Sequence, residues 1–306
     1  MKILLMCKDI GGYARKLADH LKKDNDVCFI DTSAMANTFD RAPKIIRRPL
    51  KRWAQLRQVK RAIGAGERFD VALIINPAQI DPKQLATGLR ASDRKIAYLY
   101  DSFSRWPMSR EELASYDEVF SFDPENAKSH GLKKLHNFIY DDYVADGAPG
   151  DYSAFVVMAG KDRVPALEGL ANEFDRLGIT DYRFLVQCKP IPGAHPGVTF
   201  FEQRMSLESV GELVKRSRII LDISKPGQTG LSFRFFEAMA SRKKVITTNK
   251  SVVDYDFYNP ANILVIDENS PVIPEHFITA PYVDIPAPIY EKYTLQGWVK
   301  TVFSQQ

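Results

Sequence analysis

The chain is poor in the residues that build metal centres and disulfide frameworks: among 306 residues there are three cysteines and five histidines. Cys7, Cys28 and Cys188 lie in or beside apolar runs, at spacings that suit neither a disulfide framework nor a zinc site. The histidines form no HxxxH pair and there is no CxxC, so no metal is expected. No run approaches the ~18 apolar residues that span a bilayer. The opening MKILLMC is also too short for the core of a signal peptide, and the expectation is a cytoplasmic chain. Repeats and low-complexity tracts are missing. So is the G-x-G-x-x-G dinucleotide fingerprint: after the strand-like run Lys2 to Cys7 stand only Gly11 and Gly12, a tight turn or a close approach to a ligand.

What is present is a repeated alternation of strand and helix patterns. Lys2 to Cys7, a helix pattern from Tyr13 to Lys23, and the strand Asp26 to Asp31 make a Rossmann-like opening. Strands follow at Val71 to Ile75, Lys95 to Tyr100 and Glu118 to Phe122, each finishing in polar residues, as where strands feed a crevice at their carboxyl ends. Asp101 and Asp123 are therefore candidate carboxylates, although Asp123 in DPEN reads better as a helix cap. The loop after Asp101, DSFSRWP, offers Ser102, Arg105 and two aromatics as a sugar-binding lining. His20 reads as structural, and His130 and His136, flanking a strand-like piece, are not taken as site residues.

The net charge of +4 is unevenly placed. Residues 41–68 carry Arg41, Lys44, Arg47, Arg48, Lys51, Arg52, Arg57, Lys60, Arg61 and Arg68 against Glu67, interleaved with Ile45, Ile46, Leu50, Trp53, Leu56, Val59 and Ile63. Pro49 is expected to divide the helix. Such a basic amphipathic stripe lies on an anionic membrane, meets nucleic acid, or is a solvated face packed by its apolar side.

Residues 141–152, rich in Asp, Gly and Pro, separate two periodic regions and place a boundary between domains 1–148 and 149–306. The second half restarts with a strand at Ala154 to Met158, the loop AGKDRVP, a helix from Ala166 to Leu177, and strands at Tyr182 to Cys188 and Val198 to Phe201. Ser206 caps the next helix. The strand Ile219 to Ser224 leads through the Pro226-Gly227 turn into a glycine-bearing loop, a helix and the strand Val245 to Thr248. On that helix Gly230, Arg234, Glu237 and Ser241 share a polar stripe, with Leu231, Phe235, Ala238 and Met239 on the core side. Arg234 and Glu237 are read either as a surface pair or as part of a phosphate- and sugar-binding stripe. Ile263 to Ile266, a proline-rich stretch and a helix from Tyr290 to Phe303 complete the chain.

The run VTFFEQRMSLESVGELVKRSRIILDIS followed by GLSFRFFEAMASRKKVITTN resembles the nucleotide-sugar domain of GT-B glycosyltransferases, closest to the family 4-like and bacterial lipopolysaccharide and capsule enzymes. The resemblance implies an α/β chain of two facing Rossmann-like domains with parallel sheets, the helix 289–306 crossing back to the first. It implies a metal-independent sugar transfer from a nucleoside diphosphate sugar, with no other cofactor, to a saccharide or lipid-linked acceptor in surface polysaccharide synthesis. Donor contacts would come from Gly160, Lys161, Arg163, Gln228, Thr229, Gly230, Leu231, Ser232 and Arg234, with Glu237 on the ribose. Gly11, Gly12, Ser102 and Arg105 would serve the acceptor. Asp101, or alternatively Asp9, would be the general base if the enzyme inverts. The 41–68 segment would hold the chain to the anionic inner leaflet, with no nucleic-acid partner. Two departures stand out: Thr229 replaces the first Glu of the family's E-x7-E pair, and Arg242 stands where a glycine commonly ends the helix. A bystander that binds nucleotides without catalysis, or a nucleic-acid-binding protein, are the rival readings.

Overall fold

The computed structural model describes residues 1–9, 11–33, 43–140, 143–144 and 150–304. Arg41 of the basic segment and most of the 141–152 linker lie outside them. Two compact units emerge, Met1–Leu135 and His136–Gln306.

The first unit runs β1 (Lys2–Cys7), α1 (Tyr13–Leu21), β2 (Asp26–Asp31), α2 (Lys44–Ile63), β3 (Phe69–Ile75), α3 (Pro82–Arg90), β4 (Ser92–Leu99), α4 (Arg110–Leu113), β5 (Glu118–Ser121), α5 (Pro124–His130) and β6 (Lys133–Lys134). Its strands pair in parallel in the order β2-β1-β3-β4-β5-β6. A sheet of this kind is covered on both faces, so its central strands read as unbroken apolar runs. Ile3, Leu4, Leu5 and Met6 of β1 accordingly have no exposed surface. Asp123 caps α5 by accepting from the Asn126 amide at 3.1 Å.

Pro49 does not divide the basic helix: α2 is continuous through it. Proline removes the donor to the carbonyl four residues back. That residue, Ile45, is 89% exposed, so water can satisfy the orphaned oxygen.

The second unit runs β7 (Tyr152–Ala159), α6 (Val164–Arg176), β8 (Arg183–Gln187), β9 (Val198–Phe201), α7 (Leu207–Lys215), β10 (Ser217–Asp222), α8 (Phe233–Ala240), β11 (Lys244–Thr247), β12 (Ile263–Val265), α9 (Glu275–Thr279), α10 (Ala287–Tyr293) and α11 (Leu295–Phe303). Its parallel order is β12-β11-β10-β7-β8-β9. Ser206 caps α7 as expected, accepting from Ser209 N at 3.2 Å.

The unit begins earlier than the linker composition implied. Phe138, Ile139 and Tyr140 are buried within it. Phe138 meets Trp298 of α11 at 5.1 Å and Phe233 at 5.7 Å between ring centres, and the Ile139 amide donates to Tyr293 O at 2.8 Å. Aromatic packing decides the boundary here, and glycine and proline punctuation does not report it.

Candidate functional sites at the strand ends

In each sheet the first strand is followed by a neighbour on one side and then by a crossover to the other. Ligands of open α/β sheets bind at that switch point, beyond the carboxyl ends of the strands. It lies between β1 and β3 in the first unit and between β7 and β10 in the second.

In the second unit, β7 is followed by Gly160, whose φ of 91° favours glycine. A Cβ there would stand 2.7 Å from Asp162 Oδ1. Lys161 is exposed in the turn that follows. Arg163 plays a different part from the one its sequence position suggested. Its Nη1 donates to Ile223 O and its Nη2 to Ala159 O, both at 2.7 Å, so the guanidinium clamps the ends of β10 and β7 together. Burial draws its pKa down, against the opposing charges of Asp162 and Asp222.

From β10 the chain turns at Lys225–Gln228, where Gln228 N donates to Lys225 O at 3.1 Å and Gly227 supplies the positive φ of 72° that the turn requires. The loop beyond is held by its carbonyls. Asn249 Nδ2 donates to Thr229 O and Gly230 O at 3.3 Å each, Ser251 Oγ donates to Thr229 O, Gln228 Nε2 to Gly230 O at 2.9 Å, and Asn137 Nδ2 to Leu231 O at 3.0 Å. A trans peptide points each following N–H away from the carbonyl before it. The amides of Gly230, Leu231 and Ser232 therefore face away from these anchors.

Ser232 then caps α8, accepting from Arg234 N at 3.2 Å and donating to Asp222 Oδ1 at 2.6 Å. Asp222 also accepts from Thr247 Oγ1 at 3.0 Å. Burial raises the Asp222 pKa, with the two hydroxyls and the charges of Arg163 and Arg234 opposing. Beside it, the Ser224 hydroxyl is shut off from water and has no hydrogen-bond partner among the described residues.

The polar stripe expected on this helix is corrected in two respects. Gly230 precedes the helix, which starts at Phe233. The remaining stripe is inside the unit and not on its surface: Glu237 is 1% and Ser241 2% exposed. Glu237 is ion-paired with Arg234, whose side chain keeps 17% exposure, and Ser241 Oγ donates to Tyr143 O at 2.5 Å. The carboxylate expected on a ribose is thus closed to solvent, and its cationic partner is the group at the surface.

The candidates of the first unit are likewise already engaged. Asp9 accepts from the Ala14 and Arg15 amides at 3.3 and 3.2 Å, capping α1 across Gly11 and Gly12, and burial raises its pKa against those hydrogen bonds. Gly12 takes a φ of 82° to make the approach. Asp101 receives Arg105 Nη1 at 3.2 Å and Gln79 Nε2 at 3.3 Å, so the candidate base pairs with one of the acceptor-side candidates. Ser102 Oγ lies 2.7 Å from Ser104 Oγ.

A cavity of about 640 Å³ opens at this unit's switch point, lined by Lys8, Thr32 and Ser33 at the ends of β1 and β2, the basic face of α2, and Gln79, Asp81 and Gln84. Sequence reasoning missed Gln84 and Lys8 here, and Asp222, Ser224, Asn249 and Asn137 in the second unit. Strand-end position flags Asp222, Ser224 and Asn249 by the rule that flagged Asp101; nothing in the sequence flags Asn137 or Gln84.

No family model and no curated protein sequence matches the chain. Solved structures do match in fold. Anabaena HepE in complex with UDP and glucose superposes with a TM-score of 0.62 at 10% identity, covering 99% of this chain and 98% of that one. A UDP-forming trehalose-phosphate synthase from Burkholderia xenovorans gives 0.56 at 13%, with 98% of each chain covered. A UDP-N-acetylglucosamine 2-epimerase assignment from Listeria monocytogenes gives 0.50 at 11%, covering 99% and 97%. The fold is that of the GT-B glycosyltransferases, an α/β build of two parallel-sheet units. Among the described residues no helix is long and apolar enough to cross a membrane.

Proposed function

We propose that this chain is a glycosyltransferase that moves a sugar from a nucleoside diphosphate sugar to a saccharide or lipid-linked saccharide, in the synthesis of a bacterial surface polysaccharide. The reading is carried by the second unit's switch point, where the loop before α8 is held from behind by its carbonyls. A diphosphate needs cations and fixed amides. Lys161 and Arg234 supply the charge, and the Leu231 and Ser232 peptides the amides. Charge from side chains makes the leaving group stable without a metal. Glu237 holds Arg234 in place. If transfer inverts the sugar, Asp101 is the general base, with Asp9 as the alternate. The likeness in fold to HepE, solved with UDP and glucose, and to a UDP-forming trehalose-phosphate synthase supports a nucleoside diphosphate donor. Ile45, Ile46 and Trp53, exposed on the basic helix, support a peripheral place on an anionic membrane.

The test is a thermal-shift panel of UDP, GDP, CMP, dTDP and ADP with their sugars, followed by a transfer assay with the donor that binds. Stabilisation by one nucleoside diphosphate, lost in Arg234→Ala, is the expected result. If none of them shifts the transition, the donor reading falls. Binding without transfer or donor turnover would favour the bystander reading, which Thr229 at the first position of the carboxylate pair makes worth testing.

A further inference from the structure

We infer that the first unit's switch-point cavity is a binding site for a phosphorylated saccharide, the phosphate resting on α2 and a sugar hydroxyl on Gln84. Four cations, Arg47, Arg48, Lys51 and Arg52, line it from one face of α2, and Lys8 faces it from the end of β1. The four span about 7.5 Å of helix at ~1.5 Å per residue, close enough to converge on one phosphate or diphosphate. Among the described lining residues the only carboxylate is Asp81, which both receives Arg52 Nε at 3.2 Å and caps α3 through the Lys83 amide. Its single charge is shared between a guanidinium and a helix end. A neutral sugar gives no physical reason to gather Lys8, Arg48 and Arg52 around one cavity; a phosphate ester does.

The second observation is independent of charge. Gln84 lines the same cavity, is 1% exposed, and neither its amide oxygen nor its amide nitrogen has a hydrogen-bond partner among the described residues. Buried side-chain amides are normally satisfied, and an orphaned one is costly. A hydroxyl both donates and accepts, so a saccharide can satisfy either end of the amide once the side chain turns into the cavity, whereas inorganic phosphate at neutral pH mainly accepts. The cavity of about 640 Å³ has room for a saccharide and its phosphate.

The binding of this ligand stands apart from the donor reading; its role as acceptor rests on the glycosyl-transfer reading. The two fail separately, because nucleotide binding is read through Arg234 in the other unit.

The experiment is calorimetric titration of the whole chain with hexose 1-phosphate, hexose 6-phosphate, the matching free hexose and pyrophosphate. Co-sedimentation with phosphatidylcholine vesicles carrying a lipid-linked diphosphate saccharide is compared with phosphatidylglycerol vesicles. Gln84→Leu should leave the fold at least as stable, since it removes an unsatisfied amide, and should weaken the saccharide phosphate at least tenfold while sparing pyrophosphate. Arg48→Gln and Lys8→Gln should each weaken both several-fold and flatten the dependence on salt. Preference for soluble saccharide phosphates, or for the doped vesicles, identifies which source of the phosphate the site serves. The inference is overturned if no phosphorylated saccharide binds in either form, if the free hexose binds equally well, if phosphatidylglycerol alone matches the doped vesicles, or if Gln84→Leu binds like the parent.

Discussion

The two switch-point crevices are built alike and furnished differently. In the first unit the charge comes from one helix inserted between β2 and β3, and the cations stand along a cavity wall. In the second, the principal cation of the loop, Arg234, is tethered to a carboxylate with no exposed surface, and the loop before it is anchored through three consecutive carbonyls. A wall of long flexible side chains accepts phosphates in many poses, at an entropic cost on binding. A loop fixed by buried hydrogen bonds presents one geometry. On the proposed reading, the contrast suits a phosphorylated acceptor in the first unit and a nucleoside diphosphate in the second.

The sharpest way to break this comparison is to cut the buried pair. Glu237→Ala leaves the Arg234 guanidinium without its carboxylate, and removing one partner of a buried pair costs about 3–5 kcal/mol. The expected outcome is a loss of that order in urea denaturation, together with loss of nucleotide binding. The double variant Arg234→Met, Glu237→Leu separates architecture from function: it should recover most of the stability and none of the binding. Recovery of both would mean that the pair is structural only. Charge removals on the exposed face of α2, such as Arg48→Gln, should change stability by less than about 0.5 kcal/mol.

Next in size is the loop anchor. Asn249→Ala withdraws the amide from Thr229 O and Gly230 O, but Ser251 and Gln228 still reach those oxygens. A cost of about 1–2 kcal/mol is expected, with weaker nucleotide binding from a loosened loop. A nucleotide affinity equal to the parent's would show that the anchoring serves the fold and not the site.

Asp222, beneath the loop, makes the second crevice sensitive to pH. Its folded pKa lies above the ordinary carboxylate value, so the native state keeps a proton that the unfolded chain has released. Its contribution is therefore full below the ordinary carboxylate range and is lost as pH rises through the folded value. Asp222→Asn retains an acceptor for Ser232 and removes the titration. Stability measured by urea denaturation across that window should shift in favour of the variant as pH rises. A shift in the opposite direction would place the charged form as the favoured one.

What the sequence revealed follows the same division. The succession of strands and helices was legible because apolar runs and polar strand ends are local signals, and the βα alternation favours parallel pairing. The Gly160 and Gly227 turns and the Asp123 and Ser206 caps were legible for the same reason. The roles of Arg163 and Glu237 were not. The sequence places Arg163 in a charged turn and Glu237 on a polar helix stripe, but only the packing of β10 and of α8 decides that one clamps two strand ends and the other is sealed inside. Gln84 reads as an ordinary surface position of an amphipathic helix; its burial is a property of the cavity that α2 closes.

The smallest effect is expected at the two non-glycine residues with positive φ among the described positions, one in each unit: Asn76 at 46° and Arg242 at 54°. Asn76 follows β3, and its Oδ1 accepts from the Tyr100 amide at 2.9 Å, so a residue that tolerates this conformation also does work there. Asn76→Gly should relieve little strain and lose that hydrogen bond, costing about 1 kcal/mol. Arg242 ends α8 in a Schellman arrangement, with Lys243 N on Ala238 O at 2.8 Å and Arg242 N on Met239 O at 3.2 Å. Against a strain of roughly 1 kcal/mol it sets an ion pair with Asp284 and a cation–π contact at 5.7 Å from the Tyr282 ring. Exposed contacts of those kinds are each worth up to about 1 kcal/mol. Arg242→Gly removes strain and contacts together and should change stability by less than about 0.5 kcal/mol. Arg242→Ala keeps the strain and loses the contacts, and should cost about 1 kcal/mol. If the alanine variant were as stable as the glycine variant, the contacts with Asp284 and Tyr282 would not be what offsets the left-handed backbone at this helix end.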